Sequence, residues 1–426
     1  MGSVKSESRR ILVIGGGIVG SATALALLGR GHAVTLVDEE GPRRRASWGN
    51  AGHIAIEQVE PLASLATVMG VPRQLLARDG ALALPWREAG RWLPFVARLA
   101  WAARPSAFAR GQAALSGLLA RAMPAWQRYV EALGAPALLR RTGHIIVWDR
   151  PESAARGRQA WQADVPEGIR FRDLTADEEA QIAALRGGKA PAGALYCEGS
   201  GSIAGHDLLE AALRARFAAL GGRWLQGRAR LWAEGATVLA ALADGTPLLA
   251  DEIIVAGGVL SRPLLEGLGF AVPMIAERGY HLQAPGARWP ADLPPVVFED
   301  RAMIVTRFED SVRASSFVEL ARPGAPADPA KWAALRRRIS ELGLPFELPG
   351  AEWLGARPTL PDYLPAIGRS RHHTNLLYAF GHQHLGLTLG PLSGEIIADL
   401  VEGRAPPVSL APFDIERFGA RRGAST

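Results

Sequence analysis

Three glycines near the beginning of the chain have the spacing of a phosphate-binding turn. Gly15, Gly17 and Gly20 follow the apolar run 11–14 in a Gly-x-Gly-x-x-Gly pattern, and the alanine- and leucine-rich segment 21–28 comes next. In a strand–turn–helix unit, the first glycine permits the tight turn, the second lets a pyrophosphate approach the backbone, and the third lets helix and strand pack closely. The amides at the start of the helix then face the phosphates. The pattern predicts a dinucleotide-binding turn.

An acidic residue completes this pattern. Asp38 follows a second apolar strand, predicted over 33–37, where its carboxylate can accept the hydroxyls of an adenosine ribose. A 2′-phosphate would be repelled there, although the pattern does not separate FAD from a nicotinamide dinucleotide. The basic run 43–45 is accordingly predicted to be a solvated loop near the cofactor phosphates. A glycine-rich turn in another α/β fold is the alternative.

A second glycine turn lies near the other end of the sequence. An apolar strand is predicted over 376–380, a glycine turn over 381–386 and a helix over 388–400. The segment 60–135 between the two turns has helical spacing interrupted by prolines, which normally end helices. The prolines expected to do so are Pro72, Pro85, Pro94, Pro105 and Pro124.

Strand patterns in two further regions predict a second sheet. Residues 140–148 form one such pattern, and 296–298, 303–308 and 312–318 suggest an antiparallel sheet. The fold class is therefore predicted as α/β, with a discontinuous Rossmann-type domain and a second α+β substrate domain built on an antiparallel sheet. The predicted boundaries are 1–90, 195–273 and 355–426 for the dinucleotide-binding domain, and 91–194 and 274–354 for the substrate domain.

Length and composition limit the alternatives. A chain of 426 residues suits two domains. No run of apolar residues is long enough to cross a bilayer, and the polar first eight residues predict a cytoplasmic protein. Cys197 is the only cysteine, which excludes disulfides and thiolate metal clusters and predicts a buried thiol. The net charge of +6 permits contact with anionic membranes, and no nucleic-acid-binding motif accompanies it.

Four stretches carry a resemblance to a known family. They are the first glycine turn, the segment 47–54 (Ser-Trp-Gly-Asn-Ala-Gly-His-Ile), Arg278-Gly279-Tyr280, and the C-terminal stretch from 355 to 388. Together they resemble the FAD-dependent amine and amino-acid oxidoreductases, and within them the bacterial D-amino-acid dehydrogenases. His53 and the His382-Gln383-His384 sequence are also similar to bacterial D-hydroxyproline dehydrogenases.

This resemblance implies that the cofactor is FAD. In the related sarcosine oxidases FAD is attached through a C-terminal cysteine, which this chain lacks, so non-covalent FAD is expected. The helix after the second turn would stabilise the reduced flavin anion with its N-terminal amides. The residues expected to contact FAD are Gly15, Gly17, Ile18, Val19, Gly20, Asp38, Glu39, Ser47, Asn50, Ala51, Gly52, Ala229, Ala256, Gly257, Gly381, His384, Leu385, Gly386, Leu387 and Thr388.

The resemblance also implies a reaction. It predicts dehydrogenation of a D-amino acid or a cyclic D-imino acid such as hydroxy-D-proline or D-proline, by hydride transfer from Cα to flavin N5. Tyr280 and Arg357 are expected to bind the substrate carboxylate, and His53, His382 and His384 to shape the amine side. The alternatives are an oxygen-using oxidase of the sarcosine or glycine type and a non-catalytic flavin-binding subunit.

Partners and metals complete these expectations. The electrons are expected to pass to a quinone-like acceptor, with peripheral contact to the inner face of the cytoplasmic membrane, and an oligomer is compatible with the sequence. No metal site is predicted, because His382 and His384 have no carboxylate nearby in the sequence. The remaining candidates are interpreted as surface or structural histidines; these are His144, His206, His372 and His373.

Overall fold

The computed structural model describes residues 7–39, 41–58, 80–163 and 165–419. Within these ranges the strands are β1 Arg10–Ile14, β2 Ala33–Asp38, β3 His53–Ile54, β4 Leu82–Ala83, β5 Leu139–Arg140, β6 His144–Trp148, β7 Arg170–Arg172, β8 Gly193–Glu198, β9 Gly201–Ile203, β10 Arg223–Gln226, β11 Ala229–Glu234, β12 Thr237–Leu242, β13 Glu252–Val255, β14 Ile275–Pro285, β15 Val296–Phe298, β16 Met303–Arg307, β17 Ser311–Ala321, β18 Ala351–Thr359, β19 Ala366–Arg369 and β20 Leu376–Phe380. The helices are α1 Ile18–Gly29, α2 Ala89–Ala102, α3 Pro105–Ala132, α4 Pro151–Ala163, α5 Ala176–Leu185, α6 His206–Ala219, α7 Ser261–Glu266, α8 Pro329–Glu341 and α9 Gly386–Val401.

A six-stranded sheet of order β10-β2-β1-β13-β20-β19 forms the first layer, and all its neighbours are parallel except β19 and β20. The register pairs Ile14 with Val37 on one side and with Val255 on the other. The carboxyl ends of three strands therefore meet at one edge, the position where ligands bind in open α/β sheets. Strands from three separated parts of the chain build this sheet, as the sequence pattern predicted.

Helices α1 and α9 pack on this sheet with their backbones in close contact. A Cβ atom added at Gly394 of α9 would lie 2.7 Å from the carbonyl carbon of Ala22 in α1. Thr23 follows Ala22 and donates its hydroxyl to the Val19 carbonyl within the helix. Because α9 begins at the second glycine turn and α1 at the first, this contact fixes the two turns relative to each other.

The second layer is a nine-stranded sheet. Its main path is β18-β14-β17-β16-β15-β6-β8-β7, and β4 pairs with β17. Most neighbours are antiparallel, in agreement with the predicted antiparallel sheet. Strands β14 and β18 were not anticipated, although β14 carries the Arg278-Gly279-Tyr280 sequence. Strand β8 belongs to this sheet although most of it falls in the segment predicted for the other domain; the domain boundaries remain a prediction.

The prolines of the helical region do not all end helices. Pro94 lies inside α2 and Pro124 inside α3, so the predicted breaks at these two positions are wrong. A proline removes one backbone hydrogen bond, but α3 buries an apolar face that continues past Pro124 to Trp126 and beyond. Tertiary packing thus outweighs the local preference. Pro105 opens α3 as predicted, and Pro72 lies outside the described residues.

The α1–α9 contact allows a test. Gly394→Ala should lower the free energy of unfolding by about 1–3 kcal/mol, because the added methyl group forces the helices apart. Gly117→Ala in α3 is the matched control, since its Cβ would meet only Val408 at 3.9 Å, and alanine there should be neutral or slightly stabilising. Urea denaturation of both FAD-loaded variants checks this; equal stabilities would contradict the packing argument.

Candidate active site

A cavity of about 1900 Å³ extends from the carboxyl edge of the parallel sheet to the face of the nine-stranded sheet. Five stretches of sequence that contribute to its wall are the first glycine turn, the segment 43–58, strand β14, strand β18 and the second glycine turn. The predicted residues that line it are Gly15, Gly17, Ile18, Val19, Asp38, Glu39, Ser47, Asn50, Ala51, His53, Ala229, Ala256, Gly257, Tyr280, Arg357, His382, His384, Gly386 and Leu387.

The first glycine turn has the close packing that its sequence predicts. Gly15 has a φ of 115°, and a Cβ there would lie 2.5 Å from the carbonyl oxygen of Ala256. A Cβ on Gly20 would lie 1.9 Å from the Gly15 carbonyl oxygen. At Gly17, by contrast, a Cβ would meet only the Ser47 hydroxyl, at 3.6 Å. The backbone of Gly17 is thus bare on the side that faces the cavity, where a pyrophosphate can approach.

Asp38 lies at the end of β2 and is bound from two directions. The Gly16 amide donates to Oδ1 at 3.0 Å, and Arg45 donates to Oδ2 at 2.7 Å. Arg45 also donates to both oxygens of Glu210, so it bridges two carboxylates. Arg45 is buried, and the prediction that the whole basic run is a solvated loop is therefore wrong at this residue. The arginine orients Asp38 toward the cavity.

A buried arginine of the nine-stranded sheet, Arg313, binds the segment 43–58 that follows β2. Arg313 of β17 donates to the carbonyls of Trp48 at 2.8 Å and Asn50 at 2.6 Å, and to Gln283 Oε1. Burial lowers the pKa of Arg313 to about 9. The near-complete burial of this guanidinium is compensated by main-chain carbonyls, which are the acceptors that fix the loop. No local sequence pattern indicates this role.

Two aromatic side chains of the same sheet, His281 of β14 and Trp353 of β18, also contact the segment 43–58. The His281 and Trp353 rings are stacked, with centroids 4.8 Å apart. His281 Nδ1 lies 3.1 Å from the Gly49 carbonyl oxygen, and Trp353 donates to the Arg43 carbonyl. A Cβ on Gly49 would overlap the Trp353 ring. Only glycine fits beneath this ring, which explains one position of the segment 47–54.

Side-chain hydrogen bonds join the segment 43–58, which is the first loop of the site, to the second glycine turn. The Ala55 amide donates to Thr388 Oγ1 at 3.0 Å, and His384 Nε2 lies 2.7 Å from Gln58 Oε1. The Asn50 amide group reaches the His384 carbonyl at 3.5 Å. Thr388 therefore acts on the cavity indirectly, by fixing the loop. The sequence interpretation included Thr388 and Asn50 but missed Gln58.

The remaining predicted FAD contacts do not line the cavity, and their residue types are explained by local packing. Gly52 and Gly381 have φ values of 78° and 77°, and a Cβ on either would collide with Phe308 or Leu360 respectively. Leu385 is buried. With Gly20 and Thr388, these residues shape the two turns and the segment before β3 without lining the cavity.

Arg357 lies at the end of the cavity beside the nine-stranded sheet. Its Nη1 donates to Glu277 Oε1 at 3.1 Å and to the Phe317 carbonyl at 3.2 Å. The guanidinium lies across Gly279, where a Cβ would be 2.3 Å from Nη2. Phe317 has a φ of 69°, in a region that bulky residues rarely adopt. The sequence interpretation did not identify Glu277, which fixes one side of the guanidinium.

Tyr280 contributes to the cavity wall, but its hydroxyl has other partners. The hydroxyl donates to Glu319 at 3.2 Å and accepts from Arg278 and from the Asp328 amide, both at 3.1 Å. These contacts engage the phenolic oxygen within the nine-stranded sheet. The structure thus brings Arg357 and Tyr280 to the same cavity, and only Arg357 keeps part of its polar group exposed there.

The histidines of the second turn are uncharged near neutral pH. Burial lowers the pKa of His382 to about 3 and that of His384 to about 4. His382 Nε2 lies 2.8 Å from the Ser393 hydroxyl. The charges of Glu277, Arg357 and Glu57 also act on the His384 ring, with smaller effects than burial. His53 lies in β3, and its Nε2 is 2.9 Å from Glu57 Oε1.

These features define a class of protein: a dinucleotide-dependent oxidoreductase with a split Rossmann-type domain, whose glycine turns face a cavity containing an arginine. Residues 10–400 match the family described as FAD dependent oxidoreductase. The chain belongs to this family, and its cofactor is FAD. The bare backbone at Gly17, the carboxylate of Asp38 and the start of α9 fit the pyrophosphate, the ribose and the flavin of that cofactor.

Similarity to individual proteins extends over nearly the whole chain. The chain is 30% identical to a D-amino-acid oxidase of Bradyrhizobium diazoefficiens over 97% of its own length and 99% of the relative. It is 32% identical to D-amino acid dehydrogenase 2 of Ralstonia nicotianae, over 96% of the chain and 100% of the relative. Among solved structures, glycine oxidase from Geobacillus kaustophilus has a TM-score of 0.68 at 19% identity, covering 97% of this chain and 99% of that one.

FAD should be released without breaking a covalent bond. Cys197 is buried in β8 as predicted, and burial raises the pKa of its thiol, so the thiolate needed for attachment is disfavoured. Acid precipitation of the purified protein should leave yellow flavin in the supernatant, measured by absorbance and identified by chromatography. Flavin that remains in the pellet after a denaturing wash would contradict this.

Arg313 should be required for tight FAD binding. Arg313→Met removes the donors to the Trp48 and Asn50 carbonyls, and hydrogen bonds to charged groups contribute about 1.5–3 kcal/mol each. The Kd for FAD should rise at least about 10-fold, measured by flavin fluorescence during reconstitution. The control is Arg336→Met, which removes a surface pair with Glu352. A folded Arg313→Met protein with the original Kd would disprove the role.

Proposed function

We propose that the chain dehydrogenates a D-amino acid or a cyclic D-imino acid, with D-proline and hydroxy-D-proline as preferred candidates. The proposal is carried by Arg357, a part-exposed guanidinium fixed by Glu277 in the FAD cavity. Planar guanidinium groups bind carboxylates through two parallel hydrogen bonds. Relatives with D-amino acids in their names support the same substrate class.

The cavity wall beside Arg357 suits the apolar carbons of a ring. Strands β16 and β17 contribute Met303, Ile304 and Phe317 to the cavity, and α8 contributes Trp332. These side chains offer apolar contact and exclude water from the substrate carbon. A cyclic imino acid whose carboxylate binds at Arg357 would place its ring carbons against this apolar surface.

The neutral histidines suit a reaction in which the substrate amine loses its proton before oxidation. His384 and His382 have depressed pKa values, so they add no positive charge that would repel an approaching ammonium. His384 can hold the amine through the ring nitrogen that does not contact Gln58. Bound FAD supplies the acceptor, at flavin N5, for the hydride that leaves Cα.

The acceptor that reoxidises the flavin is proposed to be a quinone-like molecule. The related protein from Ralstonia nicotianae carries the name dehydrogenase and that from Bradyrhizobium diazoefficiens the name oxidase, so oxygen is the second candidate. Rates of peroxide formation and of dye reduction, compared on the same preparation, distinguish the two. Equal rates would favour the oxidase.

The substrate proposal is tested by anaerobic reduction of the bound flavin. Addition of D-proline or hydroxy-D-proline should bleach the flavin absorbance faster than linear D-amino acids do, and the L-enantiomers should leave it oxidised. Bleaching by linear D-amino acids alone would reject the ring preference and keep the class. A flavin that no D-amino or D-imino acid reduces would overturn the proposal.

Arg357 should be essential for substrate binding. Removing one partner of a desolvated charge pair costs about 2–5 kcal/mol, so Arg357→Ala should lower kcat/KM at least about 30-fold. Arg357→Lys keeps the charge without the fork and should recover part of the loss. Steady-state kinetics on FAD-loaded protein measures this, with flavin content and melting temperature as controls for folding. Near-normal kcat/KM in Arg357→Ala would exclude the anchor.

Peripheral contact with an anionic membrane is proposed for the surface around α2. Trp86, Leu93 and Trp101 are 82%, 52% and 67% exposed. Exposed tryptophans beside basic residues are typical of helices that lie at a membrane interface. The basic side chains of this surface are Arg87, Arg91, Arg98 and Arg104. No helix in the described part of the chain is long and apolar enough to span a bilayer.

The membrane contact predicts binding to phosphatidylglycerol vesicles. A triple variant, Trp86→Ser with Leu93→Ser and Trp101→Ser, should bind at least about 10-fold more weakly, because each side chain buried at the interface contributes about 1.5–3 kcal/mol. Leu249→Ser is the control, since Leu249 is 78% exposed elsewhere on the surface. Vesicle sedimentation measures the affinity. Equal vesicle binding by the wild type, the triple variant and Leu249→Ser would reject this surface. The absence of binding by all three would reject it as well.

A further inference from the structure

Three buried side chains converge in one wall of the cavity. His53 and Glu57 are four residues apart in the first loop, and His144 opens β6 of the nine-stranded sheet. One ligand atom from each lies within 4.8 Å of the other two, and all three residues line the cavity. From the sequence, His53 is expected beside the substrate amine and His144 is expected to be a surface or structural histidine, whereas Glu57 has no expected role.

Both imidazoles are oriented from outside the cluster. His53 Nδ1 lies 3.1 Å from the Gly201 carbonyl oxygen, which can only accept a hydrogen bond, so Nδ1 carries a proton. His144 Nδ1 lies 2.9 Å from the Ser200 hydroxyl. Each ring therefore has its Nε2 available for the cluster. Metal-binding histidines are held in the same way, with one nitrogen on a carbonyl or hydroxyl and the other on the ion.

The carboxylate has an unsatisfied oxygen. Glu57 Oε1 lies 2.9 Å from His53 Nε2, whereas the buried Oε2 has no hydrogen-bond partner among the described residues.

An ion pair between His53 and Glu57 would explain only part of this geometry. A protonated His53 satisfies Oε1 and leaves Oε2 without a donor, and an unpartnered charged atom is costly inside a protein. A divalent ion between the three side chains satisfies the carboxylate and both Nε2 atoms together. Two imidazoles and one carboxylate are a ligand set that zinc takes in sites with an open coordination position.

We propose that His53, Glu57 and His144 form a binding site for a divalent transition-metal ion, with its open coordination position facing the cavity. The site is independent of the proposed substrate, because none of its three ligands is needed to bind a carboxylate at Arg357. The cavity provides the entry path, and Ser200 and Gly201 provide the outer contacts that fix both rings.

Zinc binding to the FAD-loaded enzyme tests the site. Isothermal titration with Zn²⁺ should give one ion per chain, and elemental analysis after dialysis should find the same ratio. Glu57→Gln and His144→Gln should each weaken the affinity at least about 10-fold, and Ser200→Ala about 10–100-fold, because outer contacts tune metal affinity. His372→Gln removes an exposed imidazole on another surface and should leave the affinity unchanged.

A crystal of the holoenzyme soaked in Zn²⁺ gives a second measurement. An anomalous peak should lie about 2.0–2.1 Å from both Nε2 atoms. Wild-type protein without stoichiometric Zn²⁺ binding would overturn the proposal, whatever the stability of the variants. Equal affinity in wild type, Glu57→Gln and His144→Gln would do the same, as would a peak at other residues only.

Discussion

The direct contact between backbone segments at the first glycine turn is the constraint on which the other features depend. Gly15 leaves no space for a side chain against Ala256, and Gly20 leaves none against Gly15. Strands β1 and β13 and helix α1 can therefore meet at one point, which exposes the amides at the start of α1 to the cavity. Any side chain at these positions would separate the strand ends and withdraw the amides from the cavity.

The loop after β2 is the second level of this organisation, because it belongs to neither sheet and is held by both. Arg45 ties it to Asp38 in the parallel layer, whereas Arg313 and His281 hold it from the nine-stranded layer. Thr388 links its far end to α9. One loop thus joins the two layers along the cavity wall. Its contacts are made mostly through its own main-chain carbonyls, so its sequence alone reveals little of them.

How far the sequence predicts this structure depends on whether a role is local. The turns at Gly15 and Gly386 and the acid at Asp38 were predictable because glycine and carboxylate requirements act within a strand–turn–helix unit. The helix break predicted at Pro124 is wrong because the packing of α3 is a tertiary effect, which the local sequence does not show. Glu277 and Arg313 had no local signal, since each acquires its partners from segments far away in sequence, and Glu57 meets His144 only through the fold.

The order of strands in the parallel sheet has a consequence for biosynthesis. Strand β1 is made first, yet one of its neighbours is β13, and β13 in turn waits for β20 near the end of the chain. At about 5–20 residues per second, this leaves apolar strand edges unpaired on the ribosome for tens of seconds. During translation these strand edges therefore stay unpaired until the later strands have emerged, and the part of the cavity wall at the start of α9 is completed last.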